Sequence, residues 1–210
     1  MGLGIGAALA ATPGIASADD LDFQINIDGV NLLPTADNGA TATSGMGDIA
    51  IAFGSGANAS AEGAMFDAAF ASGTDSTAET GAAGAGVGEF NLASASGDGT
   101  LAVAGFGNFD TALADGTDSQ AAAFGSSIGV LGNDDLAVAL GPHTIASSGS
   151  LVISNIASSN DIALVFDPFG TAGSSAFAGE GLSNIAAVFA DGLIANAFPG
   201  DDIVTILPML

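Results

Sequence analysis

Lysine, arginine, cysteine, tryptophan and tyrosine are absent from the 210 residues, and one histidine stands against 23 aspartates and glutamates. Each gap excludes something. Without cationic side chains the chain cannot displace counterions from phosphates, which excludes nucleic acid as a partner and disfavours an anionic membrane surface. Without cysteine there is no disulfide framework and no thiolate chemistry. A single histidine, His143, rules out a His-rich metal centre. It leaves one catalytic arrangement open, a Ser-His-Asp hydrolase, but no G-x-S-x-G elbow accompanies it. The formal charge is −23, and repulsion among the acids is relieved only by screening, protonation or bound cations. These acids are scattered singly and in pairs, so they read as turn and rim residues rather than as a disordered acidic tail.

What is present is small. Hydrophobic residues make up 49% of the chain, alanine the commonest of them, and 32 glycines accompany them. A core of such residues must bring backbones close together. The stretch "DIAIAFGSGANASAEG" (48–63) sets the frame, which returns as "NLASASG" at Asn91 and "DLAVALG" at Asp135, shifts of 43 and 44 residues. "FDAAFASGTDS" at Phe66 reappears with substitutions as "FDTALADGTDS" at Phe109, again 43 residues on. The glycines at 54, 73, 97, 116 and 141 divide that unit into coils of 19 to 25 residues. Apolar residues alternate with period two, and glycine recurs too often for helix. This is the period of a solenoid, whose repeats bury their faces only by stacking.

Phase within the rows assigns the two faces. Ala50, Ala52, Ala59, Ala61, Ala69, Ala71, Ala93, Ala95, Ala112, Ala114, Ala137 and Ala139 share one face, while the alternate positions vary freely. A face that accepts only alanine predicts a narrow interior. Ile49, Ile51 and Phe53, with Leu136, Val138 and Leu140, then form apolar stripes on the variable face, and such patches mark interfaces. The competing assignment puts these large residues in the core and alanine outside.

The expected fold is therefore all-β: a parallel β-solenoid (β-roll or β-helix) with an N-terminal hairpin cap and a C-terminal capping strand. Residues 1–18, "MGLGIGAALAATPGIASA", read as the end of a secretory signal, with Ala16 and Ala18 placed for cleavage before Asp19; the run is too short to span a membrane, and none is expected in the mature chain. Residues 19–47 hold a hairpin, Leu21–Ile27 and Val30–Leu33 about Asp28-Gly29, and a polar link. Regular repeats occupy 48–150, degenerate repeats 151–192, where Asp167-Pro168 suggests a bend, and the cap 193–210 with its strand "IVTIL".

"IAIAFGSGANASAEG" (49–63) and "LAVALGPHTIASSG" (136–149) resemble the head repeats of YadA-like trimeric autotransporter adhesins. That resemblance covers about half the chain and implies a left-handed β-roll with an adhesive role. The 210 residues show no heptad stalk and no membrane-barrel pattern, so it does not imply trimerisation or anchoring. The Gly/Ala-rich style also looks like secreted repeat proteins of mycobacteria and related actinomycetes.

The reading that follows is a secreted or cell-surface structural or adhesive protein without catalytic activity, meeting a second copy or a surface ligand through its variable face. No catalytic, cofactor-binding or metal-ligating residue is assigned. The alternative is an acidic β-roll that folds with calcium on export, using the turn oxygens of "GDGT" (97–100), "ADGTDS" (114–119) and "GNDD" (132–135). Against it, Asp-Gly and Asn-Gly serve turn geometry in their own right. A hydrolase using His143 ranks third. The glycine clusters near the N-terminus and at Gly84–Gly88 lack the strand, helix and acid of a dinucleotide site.

Overall fold

The structure, a computed structural model, describes residues 22–33, 39–62, 65–81, 88–105, 107–124, 132–149, 159–167, 170, 172–179, 183–197 and 202–207. The signal-like segment lies outside the described residues. The strands are β1 (Phe23–Ile27), β2 (Val30–Asn31), β3 (Thr41–Ser44), β4 (Ile49–Phe53), β5 (Asn58–Ala61), β6 (Ala68–Ser72), β7 (Thr77–Thr80), β8 (Leu92–Ser96), β9 (Leu101–Gly105) and β10 (Gly107–Asn108). They continue as β11 (Thr111–Asp115), β12 (Gln120–Phe124), β13 (Gly132–Asn133), β14 (Leu136–Leu140), β15 (Ile145–Gly149), β16 (Ile162–Phe166), β17 (Ser175–Ala178), β18 (Ile185–Val188), β19 (Ile194–Ala197) and β20 (Ile203–Ile206). There is no helix among the described residues.

Each coil lays one strand in each of two facing sheets. The first sheet runs β2-β1-β4-β6-β8-β11-β14-β16-β18-β20 and the second β3-β5-β7-β9-β12-β15-β17-β19; pairing is parallel from β4 onward in the first and throughout the second. The protein is a β-solenoid, as the period demands.

Register decides the interior. In the first sheet Ala50, Ala69, Ala93, Ala112, Ala137, Ala163 and Ala186 stand in one continuous row. Across the core the second sheet stacks Ala42, Ala59, Ala78, Ala102, Ala121, Ala146, Ala176 and Ala195. Ala52 is 0% exposed and its neighbour Phe53 49%, so alanine is the core and the large residues face out. A one-residue slip in any strand would exchange the two sets.

Between the sheets the chain turns at Gly54, Gly73, Gly97, Gly116 and Gly141, all at φ between 116° and 137°. A Cβ on Gly73 would run into the backbone carbonyl of Gly97 on the next coil. Three residues on, an inward hydroxyl closes the turn: Thr100 Oγ1 donates to Gly97 O at 3.1 Å and Thr144 Oγ1 to Gly141 O at 3.0 Å.

Two differences from expectation have physical causes. The stretch read as a polar link contains β3, which enters the second sheet because Ala42, one of its small residues, completes the interior row. Beyond Gly149 the repeats decay in sequence but not in stacking: β16 pairs with β14 over five residues, and Val165 and Val188 take the inward row that alanine holds earlier. Asp167 replaces the turn glycine without breaking the ladder, its amide donating to Leu140 O at 2.8 Å.

At the N-terminal end the hairpin expected about Asp28-Gly29 is present. β1 runs antiparallel to β4 and turns polar side chains inward over β3: Gln24 Oε1 accepts from Ala42 N at 2.8 Å, and Ser44 Oγ donates to Asn26 Oδ1 at 2.6 Å. At the other end β20 adds to β18 in parallel.

Candidate functional site

Three features of the solenoid carry chemistry: a column of side chains at the corner entering the first sheet, an aromatic stack beside it, and the outer face of that sheet.

The residue opening each strand of the first sheet is Asp48, Asp67, Asn91, Asp110, Asp135, Asp161 or Asn184, and all are buried. They form a column in which one side-chain oxygen accepts the backbone N–H of its counterpart on the next coil. Asp48 Oδ1 takes Asp67 N at 2.9 Å, Asp67 Oδ1 takes Asn91 N at 2.8 Å, and Asn91 Oδ1 takes Asp110 N at 3.0 Å. Asp110 Oδ1 takes Asp135 N at 3.2 Å, Asp135 Oδ1 takes Asp161 N at 3.0 Å, and Asp161 Oδ1 takes Asn184 N at 2.7 Å. The reading of the acids as turn and rim residues fails for these aspartates. The signal was in the sequence, since every frame opens with Asp or Asn, and a short side chain with an acceptor two bonds beyond Cβ suits an inward corner.

Burial dominates their electrostatics. It pushes the Asp135 carboxyl up to about 8, opposed by the hydrogen bond from Asp161 N and reinforced by the charges of Asp110, Asp161 and Asp134. It pushes Asp67 up to about 6, opposed by Asn91 N and reinforced by Asp48 and Glu89. Asp48 is raised for the same reason, with the amides of Asp67, Gly45 and Phe66 counteracting and Asp28 adding.

The residue before each of these turns the corner at positive φ: Gly47 at 88°, and Phe66, Phe90, Phe109, Asp134, Asn160 and Ser183 between 60° and 66°. Phenylalanine is a poor occupant of that region. Nevertheless three stand there in succession, 45% to 55% exposed, with ring centroids 5.0 Å apart for Phe66 and Phe90 and 5.2 Å for Phe90 and Phe109. Backbone strain held at an exposed aromatic row marks a functional candidate. The sequence carries it as "FD", "FN" and "FD" at 66, 90 and 109; the repeat of 66 at 109 is legible there, whereas the place of Phe90 between them follows from the stacking.

The outer face of the first sheet presents Phe23, Ile25 and Ile27, then Ile49, Ile51 and Phe53, and farther along Leu136, Val138 and Leu140, and Ile162, Leu164 and Phe166. These are the stripes expected of the variable face. Among the outward positions of the described strands of this first sheet the only carboxylate is Asp115.

His143 lies at the left-handed turn position, φ 56°, exposed, with Nδ1 3.6 Å from Asp118 Oδ2. The neighbouring hydroxyls of Ser119 and Thr144 are directed to turn carbonyls. Several turn acids cap backbone: Asp98 Oδ1 accepts from Thr74 N at 3.0 Å, Asp28 Oδ1 from Gly47 N at 2.7 Å and Asp191 Oδ1 from Ala172 N at 3.0 Å. Among the described residues no group of three or more His, Cys, Asp or Glu is placed to hold a metal ion. No helix of the described residues is long and apolar enough to cross a membrane.

Comparison of the chain with protein-family models, with curated proteins and with solved structures finds no match.

Proposed function

We propose that the chain is a secreted or cell-surface structural or adhesive solenoid without catalytic activity, and that the outer face of its first sheet, with the adjoining phenylalanine row, is the contacting surface. The observation carrying this reading is the distribution of charge. The chain has 23 acids and no lysine or arginine, and surfaces of one sign repel both copies of themselves and other acidic bodies. Yet this face holds a single outward carboxylate among its described strand positions, with Phe53 and Phe166 about half exposed. An apolar face kept clear of charge suits a contact that would otherwise be desolvated at a cost. The segment 1–18, with its signal-like small residues before Asp19, supports export.

The test is light scattering together with retention on an apolar chromatographic surface. The full chain is compared with Ile51→Ser/Phe53→Ser and with Phe90→Ser, each with calcium and with EDTA. Loss of self-association or retention in the face variants, with β signal intact, supports the reading. Unchanged behaviour overturns it. A β signal that disappears in EDTA would transfer the working role to the turn acids and calcium.

A further inference from the structure

The corner column contains the same hydrogen bond at every coil whether the residue is aspartate or asparagine, because Oδ1 accepts an amide N–H in both. What separates the two residues is the second side-chain atom. In both asparagines it is a donor: Asn184 Nδ2 gives its hydrogen to Gly179 O at 3.1 Å, the residue after β17, whereas Asn91 Nδ2 is buried without an acceptor. In Asp67 and Asp135 it is Oδ2, buried and without a hydrogen-bond partner, while at Asp48 the Gly45 amide is directed at the carboxyl. Asp135 Oδ2 sits 3.0 Å from where a Cβ on Gly149, at the end of β15, would stand. It therefore occupies the same kind of backbone-lined corner that Asn184 meets with a donor.

The surroundings offer no counter-charge. Asp135 faces Asp110, Asp161 and Asp134; Asp67 faces Asp48 and Glu89; Asp48 faces Asp28. The chain holds no lysine or arginine to approach any of them. Stacked strands bring successive members of the column within about 5 Å, at which buried like charges repel strongly. Asn91 and Asn184 stand in the same column as uncharged members. A carboxylic acid differs from the asparagine side chain by little more than OH for NH₂, and it supplies the donor that the site takes from Asn184.

We propose that Asp67 and Asp135 of this column are carried as neutral carboxylic acids in the folded coil, so that the solenoid is a proton-loaded body, tightest in acid and loosened as these two ionise. Folding in neutral solution then takes up protons. The column makes the stability of the coil responsive to pH without any histidine taking part.

Two measurements on the full chain test this. Infrared spectroscopy of the folded protein at pH 6 is expected to show a protonated-carboxyl band that disappears on unfolding; a folded protein with no such band overturns the proposal, and this arm needs no variant. Thermal melts at pH 5 and pH 8 compare the parent chain with Asp135→Asn and with Asp115→Asn, whose side chain is exposed on the outer face. Asp135→Asn is expected to raise the melting temperature at pH 8 by at least about 4 °C, and by less at pH 5. If Asp135→Asn lowers the melting temperature at pH 8, or shifts it equally at both pH values as a surface charge removal would, the proposal falls. Asn91→Asp supplies the converse: it should fold at pH 5 and steepen the loss of stability toward pH 8, and a pH profile identical to the parent's would also overturn the proposal.

Discussion

Phe90 and Phe109, one coil apart, lie with their rings 3° from parallel and their centroids 5.2 Å apart, both with positive φ and both about half exposed. A residue of that bulk in the left-handed region is strained by about 1–3 kcal/mol, while an aromatic pair returns about 0.5–1.5 kcal/mol. The two terms are similar in size. Phe90→Gly should therefore leave stability within about 1 kcal/mol of the parent, while reducing self-association or surface retention. Urea unfolding and light scattering on the same samples check this. A stability loss of several kcal/mol would make the row a structural element and remove it from the contacting surface.

Glycine 73 is a position where no side chain fits. Its φ of 124° is unfavourable for any L-residue, and a Cβ would meet the Gly97 carbonyl. Gly73→Ala combines left-handed strain of about 1–2 kcal/mol with separation of two stacked coils. The expected loss is at least about 2 kcal/mol, a fall of about 4–8 °C in melting temperature for a chain of this size. Asp75→Gly, two residues on at φ 54°, replaces a non-glycine residue in the same region and should hold or raise the melting temperature. Equal losses in the two variants would show that the turn yields freely to added bulk.

The architecture was legible because alanine repeats at every second position only where coils stack closely. Ala50, Ala69, Ala93 and Ala112 were found in the sequence as one face and are one row in the structure. The hairpin was legible because Asp28-Gly29 suits positive φ, and both residues show it. Burial of the corner acids was not legible. Aspartate before an alternating row reads as a turn residue, and only the register reveals that its Oδ1 serves the neighbouring coil rather than its own turn. β3 was missed for a related reason, since "TATS" (41–44) has no bulky outward residue to announce a strand. The phenylalanine row needed the stacking distance, which a period of 43 residues does not give.

Stability of the parent chain should fall as pH rises, opposite to the usual behaviour of paired carboxylates. The folded pKa values of Asp67 and Asp135 lie at about 6 and about 8, above the roughly 3.9 of an unfolded aspartate. Between these values the folded chain holds protons that the unfolded chain has released, so each group lowers stability by about 1.4 kcal/mol per pH unit. Both groups act from about pH 4 to 6 and Asp135 on to about 8, which predicts a slope that eases above about pH 6. Urea midpoints from pH 5 to 9 measure it. A profile that rises with pH across this range contradicts the assignment.

The N-terminal hairpin protects the first coil through two polar side chains, and they are separable. Gln24 Oε1 receives the Ala42 amide at 2.8 Å, and Asn26 Oδ1 receives the Ser44 hydroxyl at 2.6 Å. The first bond satisfies a backbone donor on the edge strand of the second sheet, for which β1 provides no ladder of its own. The second joins two side chains, one of which also accepts Gly29 N at 3.1 Å. Gln24→Ala should therefore cost more than Asn26→Ala, since it leaves a buried amide without a partner at about 1–3 kcal/mol, whereas Ser44 can reorient. Because a solenoid's stability is a sum over neighbouring coils, the loss should appear locally. Hydrogen exchange is expected to accelerate in β3 and β5 of Gln24→Ala while β12 to β16 keep their protection. Acceleration spread evenly along the stack would mean that the coils unfold as one unit and that the hairpin guards the whole body rather than its first rung.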